Sequence, residues 1–401
     1  MQLPQELFDA IVQNIDDHPT LQSCALAGPQ LRDPSQRILL QSVTLRGGGW
    51  VGNYPTERAI LQHSPHIATY VTDLTVYISG RPGPQQVDDD NAPVTDIQWI
   101  LDRLHNVRRC VFGGIDGDTA VRWTSLPFVL ASAYLGFISR QQSLRKLTVE
   151  NIRGLPPDAL PALVRPASTL SFKQMHVIGG FLPGGPHDAA IASQVVPGVL
   201  CLDLGPECQS LCRVLARPQY AAWTSLLTHL TLQADDEIDQ ENRALIGNAA
   251  LTLQSLRVVA YQRDAQHVPW PLPPLPALRA LQYDLSLSIL NDPQFVAPFL
   301  AIVAPAARPR LSEITLILKY ANPSLRGFPP CIRDPAIGAL DTALAAHPAR
   351  PALKLVWRVN LSVRGFTQRD ITGFFDGFVR MVRGALPGAH AQGQLVFELG
   401  A

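Results

Sequence analysis

The sequence predicts a fold between α+β and α/β: a short module of three helices, then an irregular array of strand-plus-helix units stacked as a curved solenoid. Three observations predict it. Apolar residues recur at helical spacing within the first 45 residues, and short β-prone runs separated by helix-like stretches recur from residue 70 onward. The 28 Gly and 35 Pro are scattered along the 401 residues, which favours many short elements separated by turns. With 46% hydrophobic and only 16% charged residues, the chain can bury a large core and is not a disordered tail. Its 33 Lys+Arg balance 33 Asp+Glu, so no net charge draws it to nucleic acid or an anionic membrane.

The first helix opens at Pro4, because a first-turn proline forfeits no hydrogen bond, and carries Leu7, Phe8, Ile11, Val12 and Ile15 on a helical stripe. Asp16-Asp17-His18-Pro19-Thr20 breaks it. A second stripe, Leu21, Cys24, Ala25 and Leu26, ends near Gly28-Pro29. Asp33-Pro34 reads as an N-cap and first-turn proline for a third helix bearing Ile38, Leu39 and Leu40. Three helices of this length cannot hide all these side chains among themselves, so part of the stripe must pack on another surface. Arg46-Gly47-Gly48-Gly49 lacks the lysine of a phosphate loop and reads as a linker. The organisation expected is therefore a helical module over 1–45, a junction over 46–69 and the array over 70–401.

The strand-like runs of the array are LTVYI (74–78), CVF (110–112), LRKLTV (144–149), TLSF (169–172), VLCLDL (199–204), LTL (230–232), LRVV (256–259), LQY (281–283), ITLIL (314–318), LKLV (353–356) and LVF (395–397). Helix-like stretches fall at 95–104, 242–251, 295–303, 336–347 and 368–382. A strand and a helix per unit, repeated, hides each unit's apolar side against its neighbours. A doubly wound α/β sheet would alternate in the same way and stays open as the alternative.

The segments LPQEL (3–7), Ile11, Ile15, Asp16-Asp17, TLQSCAL (20–26) and RILLQSVTL (37–45) resemble the F-box-like segment of fungal proteins. Further along, HSPHIATYV (63–71) followed by LTV (74–76) resembles the junction where those proteins pass into a degenerate leucine-rich-repeat region, and NVRR (106–109), SLRKL (143–147) and QLVF (394–397) fit the same family. The resemblance implies an F-box-like module followed by an irregular leucine-rich-repeat-like αβ solenoid. It also implies a function: a non-catalytic substrate-recognition adaptor of a Skp-cullin-F-box type ubiquitin ligase, with the solenoid recruiting a target protein. Leu3, Pro4, Leu7, Ile11, Ile15, Leu21, Cys24, Leu26 and Leu40 would then meet the Skp linker subunit, which joins the cullin core. Where the family commonly has Cys-Arg-x-Trp, this chain has Gly28-Pro29-Gln30-Leu31. That difference favours a second reading, a ligase-independent interaction scaffold whose box-like helices cap the solenoid.

Catalytic signatures are missing from the sequence: no G-x-S-x-G, no H-E-x-x-H, no P-loop and no kinase set, so no enzyme activity, catalytic residue or cofactor is expected. Cys201, Cys208 and Cys212 lack the further ligands of a structural zinc site and read as buried thiols, and the irregular spacing of the six cysteines, mostly inside apolar runs, points to a reducing compartment without a disulfide framework. Asp88-Asp89-Asp90 and Asp235-Asp236-Glu237 read as solvated loops. The apolar run 126–138 is shorter than the roughly 20 residues of a membrane span and reads as a buried helix. The start carries no signal-peptide pattern, so a cytoplasmic or nuclear protein without membrane or nucleic-acid partners is expected. The chain's lysines are Lys146, Lys173, Lys319 and Lys354, none near the helical module.

Overall fold

The computed structural model describes residues 4–47, 53–78, 92–114, 120–164, 167–178, 200–260, 272–286, 300, 303, 308–320, 336–349, 352–361 and 367–400. The fold is mixed α/β and divides into two units, Met1–Val199 and Leu200–Ala401.

In the first unit, helices α1 (Gln5–Gln13), α2 (His18–Ala27) and α3 (Pro29–Leu39) lead into β1 (Ser42–Gly47). Then come α4 (Tyr54–His63), β2 (Asp73–Ile78), α5 (Ala92–Leu101), β3 (Arg109–Gly114) and β4 (Val121–Arg122). The unit closes with α6 (Phe128–Arg140), β5 (Lys146–Leu155), α7 (Leu160–Val164) and β6 (Thr169–Val177). Its strands pair in parallel in the order β1-β2-β3-β5-β6, with the two-residue β4 set against β5. The second unit orders β7 (Cys201–Leu204), β8 (His229–Ala234), β9 (Ser255–Ala260), β10 (Ala280–Ser286), β11 (Glu313–Tyr320), β12 (Lys354–Leu361) and β13 (Leu395–Gly400) as they occur in the chain. These strands are also all parallel. Helices Gln209–Leu215, Asp239–Asn248, Ala336–Ala346 and Gln368–Ala385 lie between them in sequence. A doubly wound sheet reverses its strand order at a switch point. Neither unit has such a reversal among the described residues.

Parallel neighbours need a crossover connection between them. Burial alternates in β2, where Leu74, Val76 and Ile78 are buried while Asp73, Thr75 and Tyr77 are half-exposed, whereas Ile314, Thr315, Leu316, Ile317 and Leu318 of β11 are buried in succession. The register is set at the strand starts. In the first unit the Gln41 carbonyl accepts both the Thr72 and Asp73 N–H, Thr72 accepts those of Arg108 and Arg109, and Arg108 those of Arg145 and Lys146. In the second unit Leu200 accepts Thr228 and His229, Thr228 accepts Gln254 and Ser255, Gln254 accepts Arg279 and Ala280, and Arg279 accepts Ser312 and Glu313. Each carbonyl uses both lone pairs on its neighbour's strand start. Side chains reinforce the same turns: Ser143 Oγ donates to Val107 O at 3.0 Å, and Thr252 Oγ1 to Ser225 O at 2.8 Å and Leu227 O at 2.9 Å.

Residues 46–69, expected as a junction, hold the end of β1, the helix α4 and a 3-10 turn at Pro65–Thr69. Arg46 and Gly47 pair with Tyr77 and Ile78, so they belong to the sheet rather than to a linker. Asn53 lies along β1, accepting the Arg46 N–H on Oδ1 at 2.8 Å and donating Nδ2 to Thr44 O at 2.8 Å. A side-chain amide thus blunts a strand edge that would otherwise offer bare backbone groups. Next to it, the buried Tyr54 ring lies on Gly47 and its hydroxyl is 3.1 Å from that of Tyr134 on α6. The 126–138 run does form a helix, with Ala131, Tyr134, Phe137 and Ile138 buried but Phe128 and Val129 exposed.

In the second unit the buried Asp284 carboxylate accepts Arg257 Nη2 at 2.7 Å, Lys319 Nζ at 3.0 Å and Gln282 Nε2 at 3.0 Å. Burial works to raise its pKa, but the hydrogen bonds from Arg257, Gln282 and Lys319 together hold it below the usual value. The five described cysteines are free thiols, while Cys331 lies outside the described residues. Burial pushes the Cys110 thiol up to about 12. No helix among the described residues is long and apolar enough to cross a membrane.

Two outcomes are expected. A Cβ built on Gly47 overlaps the Tyr54 hydroxyl and ring edge, and the ring is held by Tyr134. Gly47→Ala is therefore expected to cost about 1–3 kcal/mol in urea unfolding, and Gly47→Ala in a Tyr54→Leu background much less. His347 is fully buried, and burial lowers its pKa below 6.5, partly opposed by a hydrogen bond with the Arg308 backbone. The unfolded chain would take up that proton near 6.5 while the folded chain resists it. Its contribution is thus complete above that pH and is lost as the pH falls through 6.5 toward the folded value. Thermal midpoints measured from about pH 7 to about pH 5 should fall more steeply for wild type than for His347→Gln.

Candidate partner-docking site

The helical module is built around α3, which packs against both α1 and α2. On α1 the i,i+4 pair Phe8 and Val12 faces inward, with Val12 fully buried. The neighbouring i,i+4 pair, Leu7 and Ile11, points outward and is 47% and 53% exposed. Asp17 caps α2, accepting the Thr20 N–H at 2.8 Å, and this bond together with the Thr20 hydroxyl lowers the Asp17 pKa. The Asp16–Thr20 break thus doubles as the start of the next helix. On α2, Leu21 is buried in the module, Cys24 is half-buried and Leu26 is 85% exposed.

The third helix starts earlier than its sequence signal. Gly28 precedes it, Pro29 takes the first turn, and Pro34 lies inside the helix. A proline there removes the N–H that would bond the carbonyl four residues back. That carbonyl is Gln30 O, and Gln5 Nε2 of α1 donates to it at 2.9 Å while its other hydrogen goes to Asp9 Oδ1 at 2.9 Å. The gap in α3 is thus a seat for α1. Asp33, expected to cap, instead pairs with Arg37 at 2.7 Å and accepts the Tyr70 hydroxyl. The Arg37 guanidinium lies 5.8 Å from the Tyr70 ring centre. Burial and the neighbouring Asp33 raise the Tyr70 phenol pKa. This triad ties α3 to the residue that follows the 3-10 turn. The sequence reading missed it, because residues 37 apart carry no periodic signal.

Of the expected docking residues, Leu7, Ile11 and Leu26 form exposed apolar surface on α1 and α2, and Pro4 is the exposed N-cap of α1. Ile15 and Leu40 are half-buried just beyond their helices, and Leu21 faces the interior. Leu3 lies outside the described residues, as do Gly48-Gly49, Asp88-Asp89-Asp90 and most of 295–303. Elsewhere, Cys212 Sγ lies 3.2 Å from Asn242 Oδ1, a buried thiol partnered by an amide. Asp235 accepts Gln209 Nε2 at 3.0 Å. Among the described residues no group of three or more His, Cys, Asp or Glu could hold a metal ion.

Removing the Gln5 donor leaves Gln30 O dependent on water, so Gln5→Ala is expected to destabilise α1 by about 1 kcal/mol. Restoring the N–H with Pro34→Ala should abolish most of that loss, a coupling read by hydrogen exchange of the α1 amides in a double-mutant cycle. Among known proteins, no family model and no curated protein matches this sequence.

Proposed function

We propose that this chain is a non-catalytic substrate-recognition adaptor of a Skp-cullin-F-box type ubiquitin ligase. In this reading α1–α3 are an F-box-like module, and the strand–helix units form an irregular leucine-rich-repeat-like solenoid that recruits a target protein. The observation that carries it is the open apolar surface of the module: Leu7, Ile11 and Leu26 are exposed while Val12 and Leu21 fill the interior. Large apolar side chains at i,i+4 spacing on an outer helix face are the form in which one helix presents anchors to a partner. The sequential parallel strand order supports the solenoid, since each unit lies beside the next in the chain.

The ligase partners then supply the chemistry. Holding a target beside a charged conjugating enzyme turns a bimolecular transfer into a nearly intramolecular one. The absence of lysine before Lys146 leaves the docking end without competing side-chain amines. A second reading, a ligase-independent scaffold whose helices cap the array, has one specific observation in its favour. The triad Asp33–Tyr70–Arg37 fastens α3 to the first strand–helix unit, as a cap requires.

Co-purification with a Skp-type linker subunit distinguishes them. The wild-type chain is expected to bind, and the Leu7→Asp, Ile11→Asp double variant, altered only at exposed positions, is expected to lose about 100-fold or more in affinity at unchanged thermal midpoint. Failure of the folded wild type to bind the linker would leave the scaffold reading.

A further inference from the structure

The starts of β3 and β5 place basic side chains side by side. Arg145 N donates to Arg108 O at 2.8 Å and Lys146 N to the same oxygen at 3.1 Å, so Arg108 and Arg145 occupy equivalent positions on adjacent strands, and Arg109 is in register with Lys146. Adjacent strands lie about 4.8 Å apart, which brings these cations together at their bases. Arg109 is neutralised by Asp73, its Nη2 donating to Oδ2 at 2.7 Å. Arg108, Arg145 and Lys146 are exposed, and none has a side-chain partner among the described residues. In a chain of zero net charge, three adjacent cations without a carboxylate are an uncompensated local field.

The turns that lead into these two strands also form a cleft of roughly 510 Å³, lined by Leu101, Asp102, His105, Arg140, Gln141 and Gln142. Arg140 and Asp102 neutralise each other across it at 2.6 Å. Gln141 donates Nε2 to Leu104 O at 2.7 Å, and its buried Oε1 accepts no hydrogen bond. The cleft and the cations therefore belong to the same pair of turns, joined by Ser143 Oγ, which donates to Val107 O.

We infer that this edge, Arg108, Arg145 and Lys146 with the adjoining cleft, binds an acidic peptide segment of a partner protein. Three cations within two strand starts match two or three carboxylate or phosphoryl groups on an extended chain, and the cleft admits a flanking side chain. A nucleic acid fits less well. Such binders usually neutralise about 6–10 phosphates, a longer stripe than this patch, which Asp73 and Asp102 bound. The site is independent of α1–α3, so it stands under either reading of the helical module.

The test uses the full chain and labelled peptides read by fluorescence anisotropy: oligoglutamate, a phosphoserine peptide of equal length, oligoglutamine, and a single-stranded oligodeoxynucleotide as the competing class. No Skp-type subunit is present, so failure here is separate from failure of the docking reading. At least one acidic peptide should bind, more weakly as salt rises, and oligoglutamine should not. The stronger of the two identifies the source of the anionic groups. Arg108→Gln/Arg145→Gln/Lys146→Gln should weaken acidic binding about tenfold or more, whereas Arg32→Gln/Arg369→Gln/Arg380→Gln, three exposed cations elsewhere, should not. Equal thermal midpoints confirm that both variants are folded. No binding of either acidic peptide, equal binding of oligoglutamine, equal affinity of the two triple variants, or tighter binding of the oligodeoxynucleotide would each overturn the inference.

Discussion

A carbonyl in front of a strand that accepts two N–H groups from the start of the next strand is the interaction on which the rest of each unit depends. It recurs at Gln41, Thr72 and Arg108 in one unit and at Leu200, Thr228, Gln254 and Arg279 in the other. Because both lone pairs are used, the next strand can neither slip by a residue nor tilt away without losing a bond. A one-residue slip would carry Leu74 and Val76, or Leu256 and Val258, from the buried face to the open one. The repeat is therefore anchored at its starts, and insertions of any length can be accommodated after the strands. That is why connections as different in length as Lys146 to Thr169 in the first unit and Glu313 to Lys354 in the second still bring each strand into register with its own neighbour.

The amino-terminal module follows a different logic. Its helices are held by polar bonds at places where the backbone would otherwise be unsatisfied, above all Gln5 on the carbonyl that Pro34 leaves free. Held this way, the module does not need Leu7, Ile11 or Leu26 for its own core, and those side chains stay on the surface. Apolar area exposed in this arrangement gains free energy only when something covers it, at roughly 25 cal/mol per Å². The Asp33–Tyr70–Arg37 triad anchors α3 independently of that surface, so a bound partner would be held in a defined orientation to the first strands.

Charge is arranged locally rather than globally. The buried Asp284 is matched by Arg257 and Lys319, and Arg58 by Asp96. Against that background the trio at the starts of β3 and β5 stands out as charge without a match among the described residues. The distinction matters because a paired surface cation contributes little to binding, while an unpaired cluster steers and retains anions.

Most strands are legible in the sequence: each of the eleven β-prone runs from 74–78 to 395–397 overlaps a strand, because a short apolar, β-prone run is a local property, whereas β1 and the two-residue β4 carry no such reading. The expected helices at 95–104, 242–251, 336–347 and 368–382 also exist with shifted ends, since helix limits depend on caps and neighbours. The first strand, Ser42–Gly47, straddles the expected boundary between module and junction at residue 45, and α3 starts at Pro29 rather than at the expected Pro34, because the cost of a proline inside a helix can be met by a side chain from elsewhere, here Gln5. Sequence alone named the apolar residues of the candidate docking site, but could not separate Leu7 and Ile11, which face out, from Leu21, which faces in. Composition and periodicity determine which residues seek burial. Only tertiary packing decides which of them find it, because that depends on the geometry of partners far away in the chain.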